Sequence, residues 1–407
     1  MSSTQYPTPP KHLTLIVALL TMIGPFTIDT YLPSFPAIEA EFNVSRALLS
    51  QSLAFYLAAF GIATLVWGPL SDRLGRRTVV VSTLLLYLVA SLGCAFAADY
   101  TTFLSFRVLQ GVAAGGGLAA GRTMIRDVYS PQDAQRAMSR VMMLFALAPA
   151  IAPVIGGWLQ SAFGWRSVFT FLALYSGLML VMVWLWIAET LPISMRQSFH
   201  PLHVARVYGR TLVHRRFQSL VFMVGCYFGG MFLYIAGAPS VVFDFLKLTV
   251  QDFGVLFVPL VAGIICGAWL SGRLAHRWHA QRTVSLALTL MTLGAVLNVT
   301  QALALAPQIV TSIIPLVFYT TGIGIAMPAM TVLSLDCFPH NRGAASAVQG
   351  FIQMMGNALI ASLAVPLLDH RPDGLALGQF LLIVITLLLW RYIPAQSEIE
   401  THVVKSE

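Results

Sequence analysis

The chain has 407 residues, of which 57% are hydrophobic and 10% charged, with a net charge of +8. An average soluble protein carries roughly 25% charged residues, so a soluble chain of this size lacks the polar groups to cover its surface; disorder needs low hydrophobicity and high charge and is excluded as well. What is left is a multi-spanning membrane protein: a span takes about 20 apolar residues, so twelve need roughly 240 and leave no room for a sizeable domain outside the bilayer.

Apolar runs with short polar breaks predict spans near 13–35, 47–70, 78–98, 101–123, 138–160 and 166–189. Six more follow near 217–239, 254–273, 282–304, 309–333, 343–367 and 375–393. No signal-peptide cleavage pattern follows the first apolar run, so it is expected to stay as a span.

The first span holds Asp29, the one acidic residue well inside an apolar run. Pro25 removes the hydrogen bond to the Thr21 carbonyl, and Gly24 precedes it, so a bend beside Asp29 is expected. At a rise of about 1.5 Å per residue, Asp29 lies roughly 24 Å from the face where its span begins. Arg107, the one basic residue inside a span, lies roughly 9 Å from the opposite face. In a core about 30 Å thick both fall in the same third and can meet or share a cavity. Two readings stay open. One is a structural ion pair between the first and fourth spans. The other is a titrating carboxylate, raised in pKa by burial and lowered by a nearby cation.

The loop after the second span reads GPLSDRLGRR, from Gly68 to Arg77. Asp72 can pair with Arg73, Arg76 or Arg77 or with a helix end, as a charge lock, and Gly68 and Gly75 permit a tight turn and close helix approach. The fourth span carries a glycine run after Arg107 and Gln110, but no GK[ST] ending, so a nucleotide loop is rejected. In the fifth span Pro149 and Pro153 soften the helix, and Gly156 and Gly157 allow close packing. Gly263 and Gly267 of the eighth span are expected to face it.

A basic connection with Pro192 and Pro201 divides the chain into an N-terminal bundle (1–190), a linker (191–216) and a C-terminal bundle (217–407) with a short tail. Leu70–Leu74 and Leu270–Leu274 both read L-S-x-R-L, 200 residues apart, at the ends of the second and eighth spans. Such internal repeats mark transporter folds. Pocket candidates are the stripe Tyr227, Met231 and Tyr234 on the seventh span and the amides Gln349, Gln353 and Asn357 on the eleventh, with Tyr31, Gln110 and Tyr319. Structural packing is the competing reading of each stripe. The four cysteines fit no disulfide or zinc spacing. His276 and His279 lack acidic or cysteine companions, so no metal site is expected.

With the N-terminus placed inside, Arg46, Arg166, Lys247 and Arg371 fall outside and Arg107 within a span. The other 19 of the 24 basic residues fall inside. That asymmetry predicts both termini in the cytoplasm and explains the basic charge without nucleic acid.

The Gly68–Arg77 loop, with Gly68, Leu70, Asp72, Arg73, Gly75, Arg76 and Arg77 in place, resembles the signature between spans 2 and 3 of the major facilitator superfamily. Arg107, Gln110 and Gly111 are similar to its fourth-helix motif, often linked to proton transfer. Pro149, Pro153, Gly156 and Gly157 resemble its antiporter motif, with Ala148 where a glycine is usual. FTIDTYLPSFPAI (26–38), FGWRSVF (163–169), ETLP (189–192) and FPHNRGAASAVQG (338–350) look like the bicyclomycin/chloramphenicol-resistance (Bcr/CflA) group of drug:proton antiporters.

The resemblance implies an all-α protein of twelve spans in two pseudo-symmetric six-helix bundles. It implies export of small amphipathic drugs of the phenicol or bicyclomycin type from the bacterial cytoplasm, across the inner membrane, in exchange for protons. Asp29 and Arg107 would carry the coupling, in a monomer without cofactor. Export of a sugar or amino-acid-derived metabolite is the alternative on the same fold. No clustered nucleophile points to an enzyme.

Overall fold

The computed structural model describes residues 10, 12–196, 201–275, 277–338 and 342–393. Lys11, Lys405, His276, both chain ends and 339–341 of the 338–350 stretch lie outside the described residues.

Among the described residues, twelve helices are long and apolar enough to cross a membrane, and no strand occurs. Spans 1 to 6 are Leu13–Phe42, Arg46–Leu74, Arg76–Ala95, Tyr100–Val128, Gln132–Phe163 and Arg166–Trp186. Spans 7 to 12 are Arg215–Ala236, Val250–Leu274, Ala280–Ala304, Ile309–Leu335, Arg342–Leu368 and Pro372–Arg391. A linker helix, Pro201–Val213, lies between spans 6 and 7. Several helices run past the expected apolar limits. Span 4 reaches Val128 and span 5 begins at Gln132. Hydropathy sees only the apolar part of a helix, whereas backbone hydrogen bonding continues into its polar ends. Those ends carry ordinary caps: Ser45 accepts from the Leu48 N–H (3.2 Å) and Asp99 from the Thr102 N–H (2.8 Å).

Span pairing repeats after six. Spans 2 and 4, 3 and 4, 3 and 6, 1 and 5, and 1 and 4 pack together; so do 8 and 10, 9 and 10, 9 and 12, 7 and 11, and 7 and 10. Spans 2 and 11 also pack, as do 5 and 8, and the same shift of six exchanges these two pairs. The L-S-x-R-L echo sits at matching ends, closing span 2 at Leu74 and span 8 at Leu274.

Packing across this repeat is one-sided. Toward the loop between spans 1 and 2, one continuous apolar cluster joins spans 1–6 to spans 7, 8, 10, 11 and 12 through Phe232, Phe253, Phe257, Leu316, Ile360 and Leu375. Toward the loop between spans 2 and 3, spans 7–12 keep clusters of their own, around Met291 and Tyr319 and around Phe217 and Val348. Leu65 of span 2 packs against the second of these. Tyr208 of the linker helix donates to the Leu65 carbonyl (3.0 Å). Burial, and then the Asp72 charge, push its phenol up to about 12.

Candidate functional site

Span 1 is built to break. Pro25 lies inside it, and Thr21, Thr27 and Thr30 turn their hydroxyls back onto the carbonyls of Ala18, Ile23 and Phe26. Such back-bonding bends a helix. The helix stops at Asp29, a 3₁₀ turn covers Leu32–Ser34, and a second helical piece runs Phe35–Phe42. Asp29 is buried at this break, and its carboxylate makes no hydrogen bond or ion pair with any described residue.

Arg107 is fully buried on span 4. Its Nη1 donates to Gln110 Oε1 (2.9 Å) and to the Thr27 carbonyl (3.4 Å). Its guanidinium lies 4.7 Å from the ring centroids of both Tyr31 and Tyr56, and 5.8 Å from that of Phe169. Nε and Nη2 have no hydrogen-bond partner among the described residues. Aromatic faces thus take the place that a carboxylate would fill around a dry cation. The surrounding hydroxyls form a chain. Tyr31 donates to Ser52, which donates to the Leu49 carbonyl (2.8 Å), and Gln110 donates to Ser91 (2.8 Å). Tyr87 bonds the Thr27 hydroxyl.

Asp29 and Arg107 stand level with each other but do not pair. Span 4 meets Thr27 and Tyr31, which are four apart and share a face. Asp29 is two residues from each and so lies off that shared face, since residues two apart on a helix do not face each other. Depth along the axis brought the two groups to one level; azimuth kept them apart. Tyr56, Ser52, Tyr87, Ser91 and Phe169 were missed from the sequence. A signal existed, because Thr27/Tyr31, Ser52/Tyr56 and Tyr87/Ser91 are all polar pairs at i, i+4.

In span 5, Pro149 and Pro153 sit within a continuous helix. A Cβ on Gly156 would come within 2.1 Å of the Thr30 carbonyl, and one on Gly157 within 2.4 Å of the Val250 carbonyl. The first glycine seats span 5 on span 1 beside Asp29; the second seats it on the start of span 8. Gly263 and Gly267 do not face span 5. Their open sides meet Thr320 and Thr321 of span 10, because span 8 presents its small residues to its own neighbour and only its first turns to span 5.

After span 2, Arg76 is the hub of the charge lock. Its Nη1 pairs with Asp72 (2.5 Å) and bonds Ser71 (2.6 Å), and its Nε pairs with Asp127 of span 4 (3.1 Å). Its backbone N–H donates to Glu189 Oε1 (2.8 Å), beyond span 6. Gly75 has φ +100°, and a Cβ there would strike Glu189, so only glycine serves. Gly68 is an ordinary helical residue facing open space, without the close approach expected of it. Arg77 donates to the Trp184 carbonyl (3.0 Å), and Arg73 is exposed. Asp127 and Glu189 were missed as lock members.

The pocket candidates divide. Tyr227, Met231, Tyr234 and Tyr319 are buried within spans 7–12. Tyr319 donates to the Tyr227 carbonyl (2.9 Å), and Asn298 donates to the Tyr234 hydroxyl (2.6 Å). The helical face that carries the stripe packs against spans 9, 10 and 12. Gln110 belongs to the Arg107 network. Gln349 and Gln353 are half-buried without side-chain hydrogen bonds among the described residues, and Asn357 is buried with its Oδ1 unpartnered.

The sequence profile described as Major Facilitator Superfamily matches residues 17–361. The uncharacterized MFS-type transporter YdgK of Bacillus subtilis is 30% identical, over 86% of this chain and 88% of that protein. Multidrug resistance protein D of Escherichia coli is 24% identical, over 93% and 95%. A bicyclomycin resistance protein homolog of Haemophilus influenzae is 23% identical, over 94% and 96%. Among solved structures, a D-xylose-proton symporter superposes with a TM-score of 0.71 at 17% identity, covering 94% of this chain and 97% of that one.

Proposed function

The chain belongs to the major facilitator superfamily, and from that premise we propose that it is a drug:proton antiporter of the bacterial inner membrane. Its cargo is a small amphipathic drug of the phenicol or bicyclomycin type, as the names of its relatives suggest. Spans 1–6 and 7–12, joined by the linker at 191–216, move as two units about the central site. If the arginine-rich loop 2–3 side faces the cytoplasm, the polar contacts between the two units in this form lie on the outer side.

The observation that carries this reading is Asp29. It is 3% exposed, at the break of span 1, without a partner among the described residues. A carboxylate buried in a membrane needs a proton or a mobile cation to be stable there. Arg107, the basic residue at the same level, already has its rings and carbonyls and leaves Asp29 free for the proton. Span 5 touches the Thr30 carbonyl one residue away through Gly156, so protonation at Asp29 is felt directly at the span that bridges to span 8. Deprotonated Asp29 accompanies drug loading from inside. Protonation from outside accompanies drug release and return.

The test is proton movement in proteoliposomes loaded with a pH dye. Phenicols, bicyclomycin and lipophilic cations are added to wild type and to Asp29→Asn. Drug-evoked proton movement in wild type alone is expected. Equal signals in both proteins remove Asp29 from coupling, and silence with every drug, in folded protein, transfers the proposal to a metabolite exporter.

A further inference from the structure

Every side-chain hydrogen bond and ion pair that joins spans 1–6 to spans 7–12, among the described residues, lies at the start of span 2. Arg46 is the centre. Its Nε pairs with Glu39 of span 1 (3.0 Å). Its Nη1 donates to Ser240 Oγ (3.1 Å) and pairs with Asp244, both just past span 7. Ser240 passes the contact on, donating to Asp369 Oδ2 (2.8 Å) between spans 11 and 12. One turn along span 2, Gln51 Nε2 donates to the Ser362 carbonyl of span 11 (3.0 Å). The segments that receive these bonds are not ordinary helix: Ser240–Phe245 and Ile360–Ala364 are both wound as π-helix. Such turns lengthen the hydrogen-bond ladder and are frequent where a helix must rearrange.

We propose that Arg46 is a polar latch that holds the loop 1–2 side closed, and that opening toward that side requires its bonds to Ser240 and Asp244 to break. The inference rests on the alternating-access part of the reading above, not on the drug or the proton. The groups facing Arg46 in this cleft are Glu39, Asp244, Asp369 and His370. Glu39 and Asp244 pair with the guanidinium, and Asp369 lines the same cleft, so the cation has partners on both sides of the seam. Glu39 keeps it on spans 1–2 when the seam opens; Asp244 and Ser240 lose it. The apolar cluster beneath closes the same side but is indifferent to register. Directional bonds from a planar guanidinium to one hydroxyl and one carboxylate define where the closed state stops.

The pair is partly open to solvent, with side-chain exposures of 26% for Arg46 and 49% for Asp244. A pair of that kind shifts an equilibrium by roughly two- to fivefold and is weakened by salt. The experiment reads that equilibrium directly. Nitroxide labels at Leu48→Cys and Leu367→Cys, in a background with the four native cysteines replaced, report the distance across the seam by double electron–electron resonance. No drug and no gradient are present. Arg46→Gln and Asp244→Asn are each expected to raise the long-distance population two- to fivefold, and Arg46→Asp combined with Asp244→Arg is expected to restore it. Arg136→Gln, which removes an exposed pair with Asp133 inside span 5, serves as the control. Wild-type protein in 1 M KCl is expected to shift in the same direction, so the test survives if a variant does not fold. Unchanged distances in the substitutions, or in wild type across the salt range, overturn the latch. A latch that responds in protein whose liposomes show no drug-evoked proton movement leaves this inference standing and removes the drug-antiport reading.

Discussion

At the scale of single residues, the buried charges of this chain are handled by opposite means. Arg107 is solvated by rings and carbonyls, and Asp29 has no side-chain partner among the described residues. The two sandwiching rings favour a flat, weakly hydrated guanidinium over a compact ammonium. Arg107→Lys keeps the charge but forfeits both stacked faces, each worth about 0.5–2 kcal/mol. Transport measured in proteoliposomes is therefore expected to fall by about tenfold or more, while Tyr56→Phe, which keeps the ring beside the guanidinium, leaves it within about twofold. Both intramembrane charges were legible in the sequence, because an ionisable residue in an apolar run stands out. Their separation was not, because depth is one coordinate and the direction around the helix axis is the other. Phe169 was invisible for a related reason: an aromatic residue in an apolar span reads as core until a cation is seen beside it.

At the scale of elements, glycines decide how closely helices approach, and their positions differ sharply. Gly156 lies against the Thr30 carbonyl, whereas Gly225 of span 7 has no heavy atom within 4 Å of its would-be Cβ. Gly156→Ala must push span 5 off span 1, an overpacking that costs about 1–3 kcal/mol. Its melting temperature in detergent is expected to fall, and drug-evoked proton movement with it. Gly225→Ala is expected to leave both unchanged or to raise stability slightly, since alanine is the better helix former. A melt of Gly156→Ala matching wild type would show that spans 1 and 5 do not pack as described. The glycine pairs of spans 5 and 8 were both conspicuous in the sequence. Which helix each one faces was not, because four-residue spacing marks a face without saying what lies opposite.

At the scale of the whole molecule, two seams join the repeats, span 2 against span 11 and span 5 against span 8. All other strong pairings stay within spans 1–6 or within spans 7–12. Each set therefore makes most of its helix packing internally and, in a membrane, needs no covalent tie to find the other. Splitting the gene between Arg196 and Leu202 and expressing the two pieces together is expected to yield a complex that co-purifies through a tag on one piece. Recovery of the tagged piece alone would contradict the division into two units. The one-sided distribution of cross-repeat contacts gives this form its polarity, with Arg46 and Gln51 at one end and no described polar contact between the bundles at the other.

Composition and apolar periodicity by themselves determined that this is a membrane protein of twelve helical spans, because the bilayer imposes a length and a polarity on every span regardless of its neighbours. The Gly68–Arg77 loop and the L-S-x-R-L echo were likewise readable, since both are local patterns. Tertiary structure alone decided that Arg107 rests among rings and not on Asp29, that Glu189 and Asp127 complete the lock around Arg76, and that Arg46 spans the seam. These contacts join residues tens to hundreds of positions apart. Their partners are chosen by helix rotation and packing, which no single span encodes on its own.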